Sequence, residues 1–349
     1  MEVLLTFSIL ITLLSLLDIN VEAQNPPFNS IYQFGDSISD TGNDFHLKGG
    51  CSVSPYGTTF FKRPTGRCSN GLLIVDYFAQ AFKIPFLNPY LNKDGDFSHG
   101  ANFAVAGATA LTTSKTSLLN QVIWFKSLLP QICANQAACK QKLGNALFLV
   151  GEIGGNDYNG VSFGGGANPE KLRGLVPQVI QVISSVVKQL IDLGATKLVV
   201  PGNFPVGCMT IYLAAYKSSD PNAYDELGCL KNWNDLASHH NSQLQEAIKT
   251  LQQQHGDVKI VYADYFSALQ SIFRNAASLG FDKNEMHKAC CGGGNNNEYN
   301  FGGPFCGSAG ANVCPNPDAR VSWDGIHLTQ RVYQLMADQL LKQFLPHLV

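Results

Sequence analysis

Apolar residues fall in two rhythms along this chain. Short β-branched or aromatic runs that stop at Gly, Pro or Asn occupy Ser30–Phe34, Asn102–Val105, Ala146–Val150, Lys197–Val200 and Lys259–Tyr262, the signature of buried strands. Between them the period changes. Val176, Val179, Ile180, Ile183, Val186, Val187, Leu190 and Ile191 recur at helical spacing before Gly194, and a second helix is expected around Leu236–Leu251. Near the C-terminus Thr329 can cap a helix with Val332, Leu335, Met336, Leu340 and Leu341 on its core side. Strand and helix patterns in alternation predict an α/β fold with a parallel sheet.

One apolar run belongs to neither rhythm. Val3–Leu17 is almost unbroken, is followed by Asp18 and Asn20, and ends in Val21-Glu22-Ala23 before Gln24. It is too short and too early for a membrane span and has small residues where a leader is cleaved, so residues 1–23 are expected to be a signal peptide. No Lys or Arg precedes the run, which departs from the usual leader. Without it the 26 acidic residues fall to 23 against 24 Lys and Arg. A near-neutral chain with no basic tract excludes nucleic acid and anionic membrane surfaces as expected partners. No linker-like stretch or repeat divides residues 24–349, which are expected to form a single domain.

Ten cysteines behind a leader point to disulfides. Sequence neighbours suggest Cys51 with Cys68, Cys133 with Cys139 and Cys208 with Cys229, with Cys290, Cys291, Cys306 and Cys314 pairing among themselves. No Cys-x-x-Cys pair is present and the eight histidines lack zinc-finger spacing, so no metal site is expected.

Candidate chemistry lies at the two ends. Ser37, in Phe34-Gly35-Asp36-Ser37-Ile38-Ser39-Asp40-Thr41-Gly42-Asn43, would sit at the carboxyl end of the first strand, the edge where open α/β sheets bind ligands. Taken alone these are also ordinary turn residues. Asp324 and His327 stand three apart in Ser322-Trp323-Asp324-Gly325-Ile326-His327, near enough along a helical turn for the acid to hold the imidazole. A serine hydroxyl needs such a base and orienting acid to attack. The alternative is a loop that only starts the last helix.

Four blocks in order resemble the plant GDSL esterase/lipases of the SGNH hydrolase superfamily: Gly35-Asp36-Ser37 with Asp40, Gly42 and Asn43; Asn102-Phe103-Ala104-Val105-Ala106-Gly107-Ala108; Gly154-Gly155-Asn156-Asp157; and Asp324-Gly325-Ile326-His327. Arg67-Cys68-Ser69-Asn70-Gly71, Phe204-Pro205-Val206-Gly207-Cys208 and Cys290-Cys291-Gly292 extend the resemblance over nearly the whole chain, in wording nearest the branch of acetylajmalan esterase and sinapine esterase. The resemblance implies a three-layer α/β/α, flavodoxin-like fold with a mostly parallel five-stranded sheet. It implies Ser37 as nucleophile, His327 as base and Asp324 as its orienting acid. The Ser37 and Gly107 backbone N–H groups and the Asn156 amide would form the oxyanion hole. The branch implies hydrolysis of a small acyl ester of a plant specialised metabolite, without cofactor, in the extracellular space or vacuole. Acyl transfer or lipid hydrolysis could use the same residues, and a binding protein could keep the fold. The absence of Gly-x-Ser-x-Gly, and an acid and base that share one short motif, argue against an α/β-hydrolase. Loops 49–65, 204–228 and 290–314 are expected to line the substrate pocket.

Overall fold

The computed structural model of the chain describes residues 26–166, 168–293 and 298–349; the expected leader lies outside them. Five parallel strands form the central sheet: β1 (Ser30–Phe34), β2 (Gly100–Asn102), β3 (Ala146–Val150), β4 (Lys197–Pro201) and β5 (Lys259–Ala263), in the order β2-β1-β3-β4-β5. Seven of the helices that connect these strands or flank them are α1 (Ile74–Ala81), α2 (Leu118–Ile132), α3 (Gly155–Gly165), α4 (Val176–Leu193), α5 (Lys231–Gln254), α6 (Tyr265–Arg274) and α7 (Gln330–Leu348). α1, α6 and α7 cluster in one outer layer, and α2, α4 and α5 in the other. Every residue of β1 and β3 is therefore buried, which is why these strands read as unbroken apolar runs without alternation. The layers interlock through aromatic side chains. Tyr32 and Phe34 of β1 meet Phe125 of α2, and Phe78 of α1 meets Phe344 of α7 edge-on at 5.2 Å.

The second strand differs from expectation. Pairing with β1 runs through Gly100, Ala101 and Asn102, so the strand ends where it was expected to begin. A side chain at Gly100 would collide with the Ile31 carbonyl, its Cβ falling 1.8 Å from the oxygen; the strand needs a residue without a side chain there, which leaves no apolar signal. The run Phe103–Val105 still hydrogen-bonds β1 from beyond the ladder, Phe103 N–H to Gln33 O at 2.7 Å and Val105 N–H to Gly35 O at 3.1 Å. Elsewhere the stop signals act as read. Gly194 ends α4 in the left-handed region at φ 117°. The Pro169–Leu193 segment is long and apolar enough to cross a membrane by composition alone, but Val179, Ile183, Val186 and Leu190 are buried in the core. Thr329 occupies the N-cap of α7 as expected, yet its hydroxyl donates to the Arg320 carbonyl and leaves the helix N–H groups uncapped by it.

Five disulfides are present, Cys51–Cys68, Cys133–Cys139, Cys208–Cys229, Cys290–Cys314 and Cys291–Cys306. The last two are nested, and together with Cys68, Tyr56 and Trp323 they make a small apolar cluster apart from the main core.

Candidate active site

Strand β1 ends at Gly35, whose φ of 134° suits glycine and whose N–H is held by Gln121 Oε1 at 2.9 Å. The chain then turns tightly. Asp36 N–H bonds the Glu152 carbonyl at 3.3 Å, Asp36 Oδ1 accepts the Ile38 N–H at 3.0 Å, and Ser39 N–H returns to Asp36 O at 3.1 Å. Ser37 stands on this turn, 9% exposed.

Polar residues of the first three blocks clamp the strand ends together. Asp40 accepts four backbone N–H groups, from Gly42, Asn43, Asp44 and Ala106. Asn43 Nδ2 donates to the Asn102 and Ala104 carbonyls at 2.8 and 2.9 Å, and Asn102 Nδ2 to Ser39 O at 2.6 Å. Asp157 accepts from Ala110 and Leu111 N–H at 2.8 and 2.9 Å. These bonds fix the loop after β2 against those after β1 and β3, with Gly107 at its tip. There φ is 80° and no atom lies within 4 Å of where a side chain would start.

Asp324 and His327 lie in a loop closed by the Ser322–Leu328 bridge and by Trp323 N–H to His327 O at 2.8 Å; the expected helical turn is absent. His327 Nδ1 and Asp324 Oδ2 are 2.7 Å apart, and an ionised carboxylate requires the proton on Nδ1. Asp324 Oδ1 accepts the Ile326 and His327 N–H groups at 3.0 and 2.8 Å. Tyr56, which the sequence reading did not select, donates to Asp324 Oδ2 at 2.8 Å from the loop tied by Cys51–Cys68. The Arg67–Gly71 block seats this loop. Ser69 Oγ donates to Leu328 O, Asn70 Oδ1 accepts from Gln330 N–H, and a side chain at Gly71 would strike Gln330.

Electrostatics follow from burial and these bonds. Burial alone would raise the Asp324 carboxyl, but the His327 charge and the hydrogen bonds outweigh it and hold it below the usual range. Burial alone would lower His327, but Asp324, by charge and hydrogen bond, and then Asp36 raise it above the usual 6.5. His327 Nε2 is buried and has no hydrogen-bond partner, so Ser37 Oγ is not bonded to it here.

Ser37 borders a cavity of about 60 Å³ with Asp36, Glu152 and Asn156 on its polar side and Ile38, Phe204, Val206, Met209, Ile211 and Ile326 on its apolar side. Of the three loops expected around it, residues 204–228 supply most of the apolar wall, whereas neither residues 49–65, which reach Asp324 through Tyr56, nor the described residues of 290–314 border it. Gly107 borders a separate, more open hollow with Thr109, Thr113 and Ser114; Asn156 lies between the two. The Asn156 amide points both N–H groups at protein acceptors, Asp36 Oδ2 at 2.9 Å and Ala108 O at 3.0 Å, where the sequence led one to expect a free donor. Among the described residues no cluster of three or more His, Cys, Asp or Glu could hold a metal ion. Adjacent His239 and His240 diverge: His240 is buried against Tyr158, His239 pairs with Gln243.

The family model for GDSL-like lipase/acylhydrolases matches residues 31–340. Acetylajmalan esterase 1 of Rauvolfia serpentina is 40% identical over 345 residues, covering 92% of this chain and 88% of that protein. A GDSL esterase/lipase of Arabidopsis thaliana is 42% identical over 344 residues, covering 93% and 84%. With the five-stranded α/β sheet, these matches place the chain in the GDSL-like lipase/acylhydrolase family, as a carboxylic ester hydrolase.

Proposed function

We propose that the chain is a secreted esterase that removes a small acyl group through an acyl-enzyme, with Ser37 as nucleophile, His327 as base and Asp324 as its orienting acid. One observation carries the reading: His327 has Nδ1 engaged by Asp324 and a buried Nε2 with no partner, the protonation pattern a general base needs. Ser37 Oγ attacks the ester carbonyl carbon and its proton passes to Nε2. The alcohol leaves with that proton. Water, deprotonated by His327, then attacks the acyl carbon, and Ser37 recovers its proton as the acid departs. The charge on the carbonyl oxygen is met by the Ser37 and Gly107 N–H groups and by Asn156, whose amide keeps one N–H on Asp36 while the other exchanges Ala108 O for the substrate.

The acyl size is read from the cavity. A buried water needs roughly 15 Å³ of such space, so about 60 Å³ holds roughly four small groups. An acetyl group fits in this space beside Ser37 and the apolar side chains of Met209 and Ile211. The named activity of the Rauvolfia relative, an acetylajmalan esterase, supports an acetyl ester of a specialised metabolite as substrate. Five disulfides support passage through the secretory pathway, to the extracellular space or vacuole, with residues 24–349 as one hydrolase domain and no stable membrane anchor. The test is hydrolysis of p-nitrophenyl esters from acetate to palmitate by the wild type and by Ser37→Ala. Turnover concentrated on the short esters and lost by several orders of magnitude in the variant is expected; a folded Ser37→Ala variant that keeps its rate overturns the mechanism.

A further inference from the structure

We propose that Glu152 is a positioning residue for ester hydrolysis: acting through Asp36, it fixes the Asn156 amide beside Ser37. Glu152 follows β3, is 4% exposed and borders the same cavity as Asp36, Ser37 and Asn156. Its carboxyl hydrogen-bonds that of Asp36. Asp36 also accepts the Ile38 N–H on Oδ1 and the Asn156 Nδ2 on Oδ2. The bonds thus run from Glu152 to Asp36 and from Asn156 to Asp36, and end at Ala108 O.

Two touching carboxyls in a buried site cannot both ionise, so one proton is shared between them. Burial and the charge of Asp36 keep that proton on Glu152. The other groups whose charge couples to the pair are Asp157, His327 and the phenols of Tyr158, Tyr212, Tyr265 and Tyr333; none is a lysine or arginine that could steady a second negative charge. A neutral Glu152 is therefore a donor. It leaves Asp36 with three donors around one carboxylate and a single orientation for the Asn156 amide. Once ionised, Glu152 would repel Asp36 and add negative charge where the oxyanion forms.

This rests on the serine-esterase reading and is tested apart from it, with kcat and KM for p-nitrophenyl acetate measured across pH, corrected for uncatalysed hydrolysis, for wild type, Glu152→Gln, Glu152→Ala and Ser37→Ala. Glu152→Gln keeps a donor that cannot ionise. It is expected to hold kcat within about threefold at neutral pH and to lack the alkaline decline expected of the wild type, whose Glu152 can ionise. Glu152→Ala removes one bond to a charged acceptor and is expected to lower kcat about 10- to 10²-fold with little change in KM. A folded Glu152→Ala with kcat within about threefold of wild type overturns the proposal, as does a Glu152→Gln profile that keeps the wild-type alkaline limb. If Glu152→Ala fails to fold, the Glu152→Gln profile decides alone. Full activity of Ser37→Ala would instead overturn the esterase mechanism.

Discussion

Asp324→Asn keeps the shape of a buried side chain and removes its charge, and the four bonds the carboxylate accepts dictate the outcome. The asparagine oxygen can satisfy the Ile326 and His327 N–H groups now held by Oδ1 at 3.0 and 2.8 Å. Its NH₂ is then forced toward His327 Nδ1 and the Tyr56 hydroxyl, which lie 2.7 and 2.8 Å from Oδ2. Donor would face donor. Tyr56 can rotate its hydrogen away, but the imidazole relieves the conflict only by moving its proton to Nε2. That nitrogen can no longer accept the proton of Ser37, and the imidazolium loses its counter-charge. The two effects together are expected to lower kcat by about 10⁴, or about 5 kcal/mol in activation free energy. The assay is kcat and KM on p-nitrophenyl acetate, with near-ultraviolet circular dichroism to establish that the variant is folded. A second readout comes from the pH profile. Burial by itself lowers the His327 pKa, and Asp324 is the chief opposing influence, so any residual activity should have its acid limb at lower pH than wild type. A folded variant within about tenfold of wild type would refute the idea that Asp324 sets the base's tautomer.

Asn156→Ala should lower turnover by about 10² to 10³ if its amide meets the oxyanion; a loss below about threefold on p-nitrophenyl acetate removes it from the site. In the wild type, kcat/KM should rise with pH through a pKa above 6.5, because His327 is raised and works only when deprotonated; a limb well below 6.5 contradicts this. The attraction between Asp324 and His327 also contributes to stability. On the His327 side that contribution is fully present below the unfolded histidine pKa and is lost as pH rises through the raised folded one; on the Asp324 side it is lost as pH falls through the lowered carboxyl pKa, which urea midpoints across pH would show. Tyr56→Phe deletes one bond to a buried carboxylate and should cost about 1.5 to 3 kcal/mol of stability by denaturant unfolding, with kcat falling far less than in Asp324→Asn; an equal fall would make Tyr56 an essential part of the site.

What was legible in the sequence was local. The turn at Gly35–Ser37 and the spacing of Asp324 and His327 are short-range patterns, and both residues of the acid–base pair meet within one loop. Disulfides between sequence neighbours were legible for the same reason, while the crowded Cys290–Cys314 segment left its pairing open because two of its three connectivities close loops of similar length. β2 was misplaced because Gly100 and Ala101 pair with β1 by lying flat against it and show no apolar signal. Tyr56 was invisible because its partner stands 268 residues away. Asn156 was expected as an oxyanion donor, but where its amide points could not be read without knowing that Asp36 and Ala108 O would lie beside it. Glu152 drew no reading from the sequence, since nothing in its neighbours announces that a second carboxyl will be buried against it.

The loop with Asp324 and His327 is seated by α7, the last helix of the chain, which packs on α1, α6 and β5, whereas Ser37 stands at the end of β1. On the proposed mechanism, a polypeptide made from its amino end carries the nucleophile from the beginning and acquires the base last. Until α7 is docked, that serine would have no group to take its proton, so chains whose last helix is not yet in place are expected to be silent toward esters. Activity would then report that synthesis and docking have both finished.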